Sequence, residues 1–221
     1  MDNVSDIGKL DLTLYFVTDG SSKTEAELLE TVHQACAGGV SLVQLREKEK
    51  SGLEYFTLAE KIKRITDSHK IPLVIDDRVD IAMAVDAAGV HLGQSDMPIY
   101  AARKLMGKNR IIGATAKTLA QAQKAKGEGA DYLGVGAIYP TMTKVVTVIT
   151  KVSTLNEIAA ETDMPVVAIG GLNASNIHVL YDGLASGIAV VSAIMKSENP
   201  CETAKVLKAQ ILKNFKNLGL S

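Results

Sequence analysis

The chain has 221 residues, nearly half of them apolar and 4% aromatic, with a formal net charge of −1. That balance excludes a bulk electrostatic pull toward nucleic acid or a membrane surface, so any anion site has to be a local cluster. No apolar run approaches the ~18 residues of a membrane span, and the polar, acidic start MDNVSDIGKLD does not read as a signal peptide.

The two cysteines, Cys36 and Cys201, belong to no metal-spaced set and read as reduced thiols of a cytoplasmic protein. A chain of this size can bury a sizeable core within one α/β domain.

In chain order, short apolar and β-branched runs recur at 12–17, 41–45, 73–75, 90–92, 110–114, 132–135, 166–169 and 187–191. Most are too continuously apolar for a half-exposed strand, which is how parallel strands buried on both faces read. Helix-period segments fill the gaps. Thr24 caps EAELLETVHQACAGG, whose glycine pair suits a helix end, and further segments follow at 53–68, 79–87, 99–106, 119–128, 153–162, 174–181 and 201–212. In the segment 53–68, Leu53, Phe56, Ala59, Ile62 and Ile65 share one face.

Strict β-then-α alternation implies a parallel sheet with right-handed crossovers. Eight such units predict a single (β/α)8 TIM barrel over 1–221, with 1–11 as an N-terminal arm. An open doubly wound sheet is the alternative, disfavoured by the strand count and by the lack of GxGxxG after the first strand. In barrels of this kind the chemistry sits at the carboxyl ends of the strands.

Those ends are polar. In QLREK, alternation puts Gln44, Arg46 and Lys48 on one face, facing the barrel mouth if the extended course continues, and Val43, Leu45 and Glu47 on the other. One amide and two cations suit a phosphate or diphosphate. IDDRVD supplies Asp76 and Asp77, and HLGQSDMP supplies Asp96. Carboxylates without a cysteine or histidine cluster imply a hard cation, best Mg2+ bound together with substrate phosphates.

Asp80 reads as a first-turn helix acid, Asp19 as a cap, and His91 as a hydrogen-bonded core histidine. Thr115 follows the fifth strand. Thr141, Thr143 and Lys144 follow the sixth, and the run VVTVIT after Lys144 reads as a mobile lid. Gly170 and Gly171 end the seventh strand, and Val191 and Ser192 the eighth, where barrels often bind phosphate on backbone N–H groups. Two adjacent anion sites point to the joining of two phosphorylated molecules.

The motifs LYFVTD, VQLREK, DDRVDIAMAVDAAGVHLGQSDMP, IIGATAKT, GADYLGVGAIYPTMTK, VVAIGG and VVSAI, in this order, resemble the bacterial thiamine-phosphate synthases. The resemblance implies a magnesium-dependent transferase that joins hydroxymethylpyrimidine diphosphate to thiazole phosphate. It implies that Gln44, Arg46, Lys48, Asp76, Thr115 and Lys144 hold the pyrimidine diphosphate, with Lys48, Thr115 and Lys144 catalytic. Asp77 and Asp96 would bind Mg2+, and Thr141, Thr143, Gly171, Val191 and Ser192 the thiazole phosphate.

Two small phosphorylated substrates are the expected partners, with no nucleic acid and no membrane; a homo-oligomer stays open. Three positions depart from the family pattern: Asp76 replaces an asparagine, Thr115 replaces a serine, and the segment after Lys144 is apolar. The rivals are a thiazole tautomerase, a non-catalytic phosphate-ligand sensor, and a sugar-phosphate isomerase using Asp19 or Asp76 as base. Retention of the diphosphate-type residues argues against the tautomerase.

Overall fold

The computed structural model describes residues 10–141 and 148–218. Eight parallel strands pair in sequence order and close into a barrel through β1 and β8. The elements are β1 Leu14–Val17, α1 Glu25–Ala37, β2 Leu42–Leu45, α2 Gly52–Ser68, β3 Leu73–Asp76, α3 Val79–Ala84, β4 Gly89–Leu92, α4 Ile99–Met106 and β5 Ile111–Ala116. There follow α5 Leu119–Gly127, β6 Tyr132–Gly136, α6 Val152–Thr162, β7 Val166–Ile169, β8 Gly187–Val190, α7 Ser192–Met195 and α8 Pro200–Asn214.

The strands read as continuous apolar runs because both of their faces are buried. Leu14 and Phe16, Val43 and Leu45, Leu73 and Ile75, and their counterparts pack outward against the helices. Tyr15, Val17, Leu42, Val74, Ile111, Tyr132, Val167 and Ala189 pack inward as a second core. Leu10 and Leu12 join that inner core, and Asp11 accepts a hydrogen bond from Thr13 N–H. The rest of the expected N-terminal arm lies outside the described residues.

Thr24 and Ser51 each form a complete capping box, with Glu27 and Glu54 respectively, which fixes where α1 and α2 begin. Burial holds the Cys36 thiol up at about 12, so it stays protonated, while Cys201 is half-buried. No helix among the described residues is long and apolar enough to cross a membrane.

Three sequence expectations change. The buried face of α2 is Tyr55, Leu58, Ala59, Ile62 and Thr66, whereas Leu53 is exposed in the first turn. α3 stops at Ala84, because Asp86 takes a left-handed conformation (φ 55°) that turns the chain into β4. The helix expected at 174–181 shrinks to a 3-10 turn, Ile177–Leu180. Asn173 Oδ1 accepts from Ser175 N–H and Asn176 Oδ1 accepts from Asn173 N–H, side-chain bonds that hold the turn ahead of it.

Candidate active site

The first and second strands end together. Thr18 N–H donates to the Gln44 carbonyl and Arg46 N–H donates to Thr18 Oγ1 at 3.0 Å. This tie carries the alternation of β2 past its last ladder residue. Gln44, Arg46 and Lys48 therefore stay on the mouth side, while Glu47 turns away and accepts from Gly20 N–H.

At the end of β3 the backbone bends sharply. Asp77 is left-handed (φ 61°), a conformation aspartate tolerates better than most residues, and its N–H donates to the His91 carbonyl. The bend presents two consecutive carboxylates to the rim. Lys48 Nζ bridges them, pairing with Asp76 at 3.0 Å and with Asp77 in a short contact, and Arg46 Nε lies 3.7 Å from Asp76.

Asp76 is 8% exposed. Burial and the neighbouring Asp77 charge raise its carboxyl above the ordinary range against the pull of Lys48 and Arg46. Burial alone would lower the Lys48 ammonium, but Asp77 and Asp76 outweigh it and hold Lys48 above its ordinary value.

The loop after β4 returns Asp96 to the same place. Its Oδ2 accepts from Gly93 N–H at 2.7 Å. Burial and then a side-chain contact with Asp77 raise the Asp96 carboxyl. Among the described residues no group of three or more His, Cys, Asp or Glu forms a self-sufficient metal cage. Two adjacent carboxylate side chains, Asp77 and Asp96, fit a cation that takes its remaining ligands from a substrate and water, as Mg2+ does. Two cations, Arg46 and Lys48, face three carboxylates here, so an anionic ligand is poorly received until positive charge is added.

Across the mouth, β7 and the loop after β6 are locked together. Ile138 and Tyr139 N–H donate to the Ile169 and Gly170 carbonyls at 3.0 Å each. Gly170 (φ 104°) and Gly171 (φ 65°) are left-handed, and a Cβ on Gly171 would stand 2.7 Å from Tyr139 Cβ. The close approach foreseen for these glycines is thus made by the protein's own loop. β8 ends at Val190; Val191 caps the short α7, a helix the sequence reading did not separate, and Ser192 is its first residue.

One cavity joins the two halves, enclosing about 1090 Å³ with its open mouth included. Gln44, Arg46, Asp76, Thr115, Thr141, Gly171, Val191 and Ser192 line it together. Lys48, Asp77 and Asp96 adjoin it through their contacts with Asp76 and with one another. Thr143, Lys144 and the first half of the expected lid, 145–147, lie outside the described residues; Val148, in its second half, lines the mouth.

Asp19 caps the 3-10 turn Gly20–Ser22 and Asp80 is the first-turn acid of α3, the structural roles expected of both; Asp80 also pairs with Arg78. Lys117 also lines the cavity and was not foreseen, although alternation from Thr115 places it on the same side. His91 and Tyr15 line it as well.

A family model described as thiamine monophosphate synthase matches residues 14–194. The chain is 47% identical over 210 residues to a thiamine-phosphate synthase of Methanobrevibacter smithii, covering 95% of this chain and 98% of that one. It is 48% identical over 196 residues to that of Enterococcus faecalis, covering 89% and 92%. Among solved structures, a thiamine phosphate pyrophosphorylase from Pyrococcus furiosus superposes with a TM-score of 0.85 at 35% identity, covering 94% of this chain and 98% of that one.

Proposed function

The chain belongs to the thiamine monophosphate synthase family and has the activity of a thiamine-phosphate synthase, a transferase; from that premise we propose how its rim performs the reaction. The substrates are hydroxymethylpyrimidine diphosphate and thiazole phosphate. The diphosphate lies on Gln44, Arg46, Lys48 and Thr115, with Lys144 added from the loop after β6, and abuts Asp76. The thiazole phosphate lies on Thr141, Thr143, Gly171, Val191 and Ser192.

The observation that carries this reading is the single cavity, lined on one side by an amide, a cation and a hydroxyl and on the other by glycine, hydroxyls and a helix start. The C–O bond to the pyrimidine methylene breaks and its electron pair leaves on the diphosphate. The thiazole nitrogen then forms the new C–N bond to the methylene cation. That nitrogen loses no proton, so no general base is needed.

The task left to the protein is to stabilise charge on the leaving group and to hold the two partners in line. Arg46, Lys48 and Lys144 meet the charge, and Thr115 offers a hydroxyl. Asp77 and Asp96 would hold Mg2+, which supplies divalent positive charge against the diphosphate. The diphosphate must also draw Arg46 and Lys48 away from Asp76, a competition the family's asparagine would not pose. The enzyme works in the cytoplasm, where both thiols stay reduced.

The test is a coupled assay of diphosphate release with both substrates, with and without magnesium. Turnover is expected only when all three are present. Release without thiazole phosphate would mean hydrolysis rather than transfer, and full turnover in chelator would remove the metal from the scheme.

A further inference from the structure

Five side chains from five strands form one continuous hydrogen-bonded chain through the barrel. Gln44 Nε2 donates to Tyr15 Oη at 2.6 Å, and Tyr15 Oη meets Tyr132 Oη at 2.8 Å. Tyr132 Oη meets His91 Nδ1 at 3.0 Å, and His91 Nε2 meets Thr115 Oγ1 at 3.0 Å. Gln44, Tyr15, Tyr132 and His91 are 4%, 2%, 0% and 9% exposed, so these bonds are largely shielded from bulk water.

The space for the chain is made by missing side chains. A Cβ on Gly113 would stand 2.2 Å from the Tyr132 ring, and one on Gly134 would stand 3.2 Å from His91 Cε1. Thr115, at the far end, lines the cavity.

Such a chain has a direction. A tyrosine hydroxyl and a neutral imidazole each have one proton to give. The Gln44 nitrogen can only donate, so Tyr15 accepts there and gives its proton to Tyr132. Tyr132 in turn donates to Nδ1 of His91. The ring proton is left on Nε2, which donates to Thr115 Oγ1. The Thr115 hydroxyl proton is then left to point into the cavity. Started instead from a Gln44 carbonyl oxygen, every bond reverses; the Thr115 proton is spent on His91, and the cavity meets only an acceptor.

We propose that Tyr15, Tyr132 and His91 are positioning residues that make Thr115 a fixed hydrogen-bond donor toward the diphosphate, with the Gln44 amide setting the direction of the chain. The proposal rests on the reading that Thr115 faces that diphosphate. A donor oriented before the reaction suits a leaving group whose oxygens are acceptors and whose charge grows as the bond breaks. No proton changes owner along the chain.

Imidazole nitrogen shifts of 15N-labelled enzyme without substrates test the direction, with the His91 signals identified by their loss in His91→Gln. A neutral ring with its proton on Nε2 is expected; a proton on Nδ1 overturns the proposal. In Gln44→Glu the carboxylate can only accept, so Nδ1 is expected to become protonated. Nδ1 remaining unprotonated there would overturn the claim that residue 44 sets the direction.

Cutting the chain by Tyr132→Phe, or by Tyr15→Phe should the first variant fold poorly, is expected to lower kcat roughly 5- to 10-fold, with KM for both substrates within about twofold. Unchanged kcat in a folded variant overturns the positioning role. Full kcat in Thr115→Val, with the expected His91 proton in place, would instead strike the placement of the diphosphate and leave the direction of the chain standing.

Discussion

At the scale of single residues, the proposed placement of the diphosphate makes Asp76 the residue expected to set how tightly the mouth holds it. Asp76 is buried beside Arg46 and Lys48 and adjacent to Asp77, so it neutralises charge that a diphosphate would use. Asp76→Asn keeps the size and removes the charge. A unit charge removed a few ångströms from the ligand in a partly solvated site is worth on the order of 1 kcal/mol, or about fivefold. The variant is therefore expected to bind the pyrimidine diphosphate about fivefold more tightly and Mg2+ more weakly. Calorimetric titration of each ligand measures both, and two unchanged constants would refute the role given to Asp76.

At the scale of elements, the alternation that sends Lys48 to the mouth sends Glu47 the other way, where it ties β2 to the turn after β1 through Gly20 N–H. Burial, only partly offset by Lys50 and the Gly20 hydrogen bond, raises the Glu47 carboxyl above its ordinary value. The folded state therefore holds this proton more tightly than the unfolded state. The stabilising contribution is fully present below the ordinary carboxylate pKa and is lost as pH rises through the raised folded value. Glu47→Gln retains an oxygen for Gly20 and never ionises. Its melting temperature is expected to exceed the parent's at pH 7 and to converge with it below about pH 4, the ordinary glutamate range. A difference that is constant with pH would show that ionisation of Glu47 is not its source.

At the scale of the molecule, the barrel is one closed ring, and the last helix packs beside β1, the strand that closes it. α8 packs on α1 and β1 and buries Ala204, Leu207 and Ile211. Leu207 is fully buried in the outer core, away from the cavity. Leu207→Ala is expected to cost roughly 2–5 kcal/mol of global stability, read as a lower urea midpoint, with kcat per folded molecule unchanged. An unchanged midpoint would mean that α8 is not part of the cooperative unit.

The sequence by itself determined the strands, their order, the capped start of α1, and which side chains of β2 face the mouth. These follow from periodicity and capping, which act over a few residues and survive any tertiary arrangement. It also marked most of the cavity's polar residues, because strand ends in a barrel share one rim.

Only the tertiary structure decided what those residues touch. Tyr15 and Tyr132 are 117 positions apart and Gln44 and Tyr15 are 29 apart, so their meeting depends on ring closure and register, which no local pattern encodes. The same closure makes His91 a link between a cavity-lining threonine and the core, where the sequence supported only a buried histidine. It also explains why the glycines after β7 are needed: the loop after β6 lies where their side chains would be.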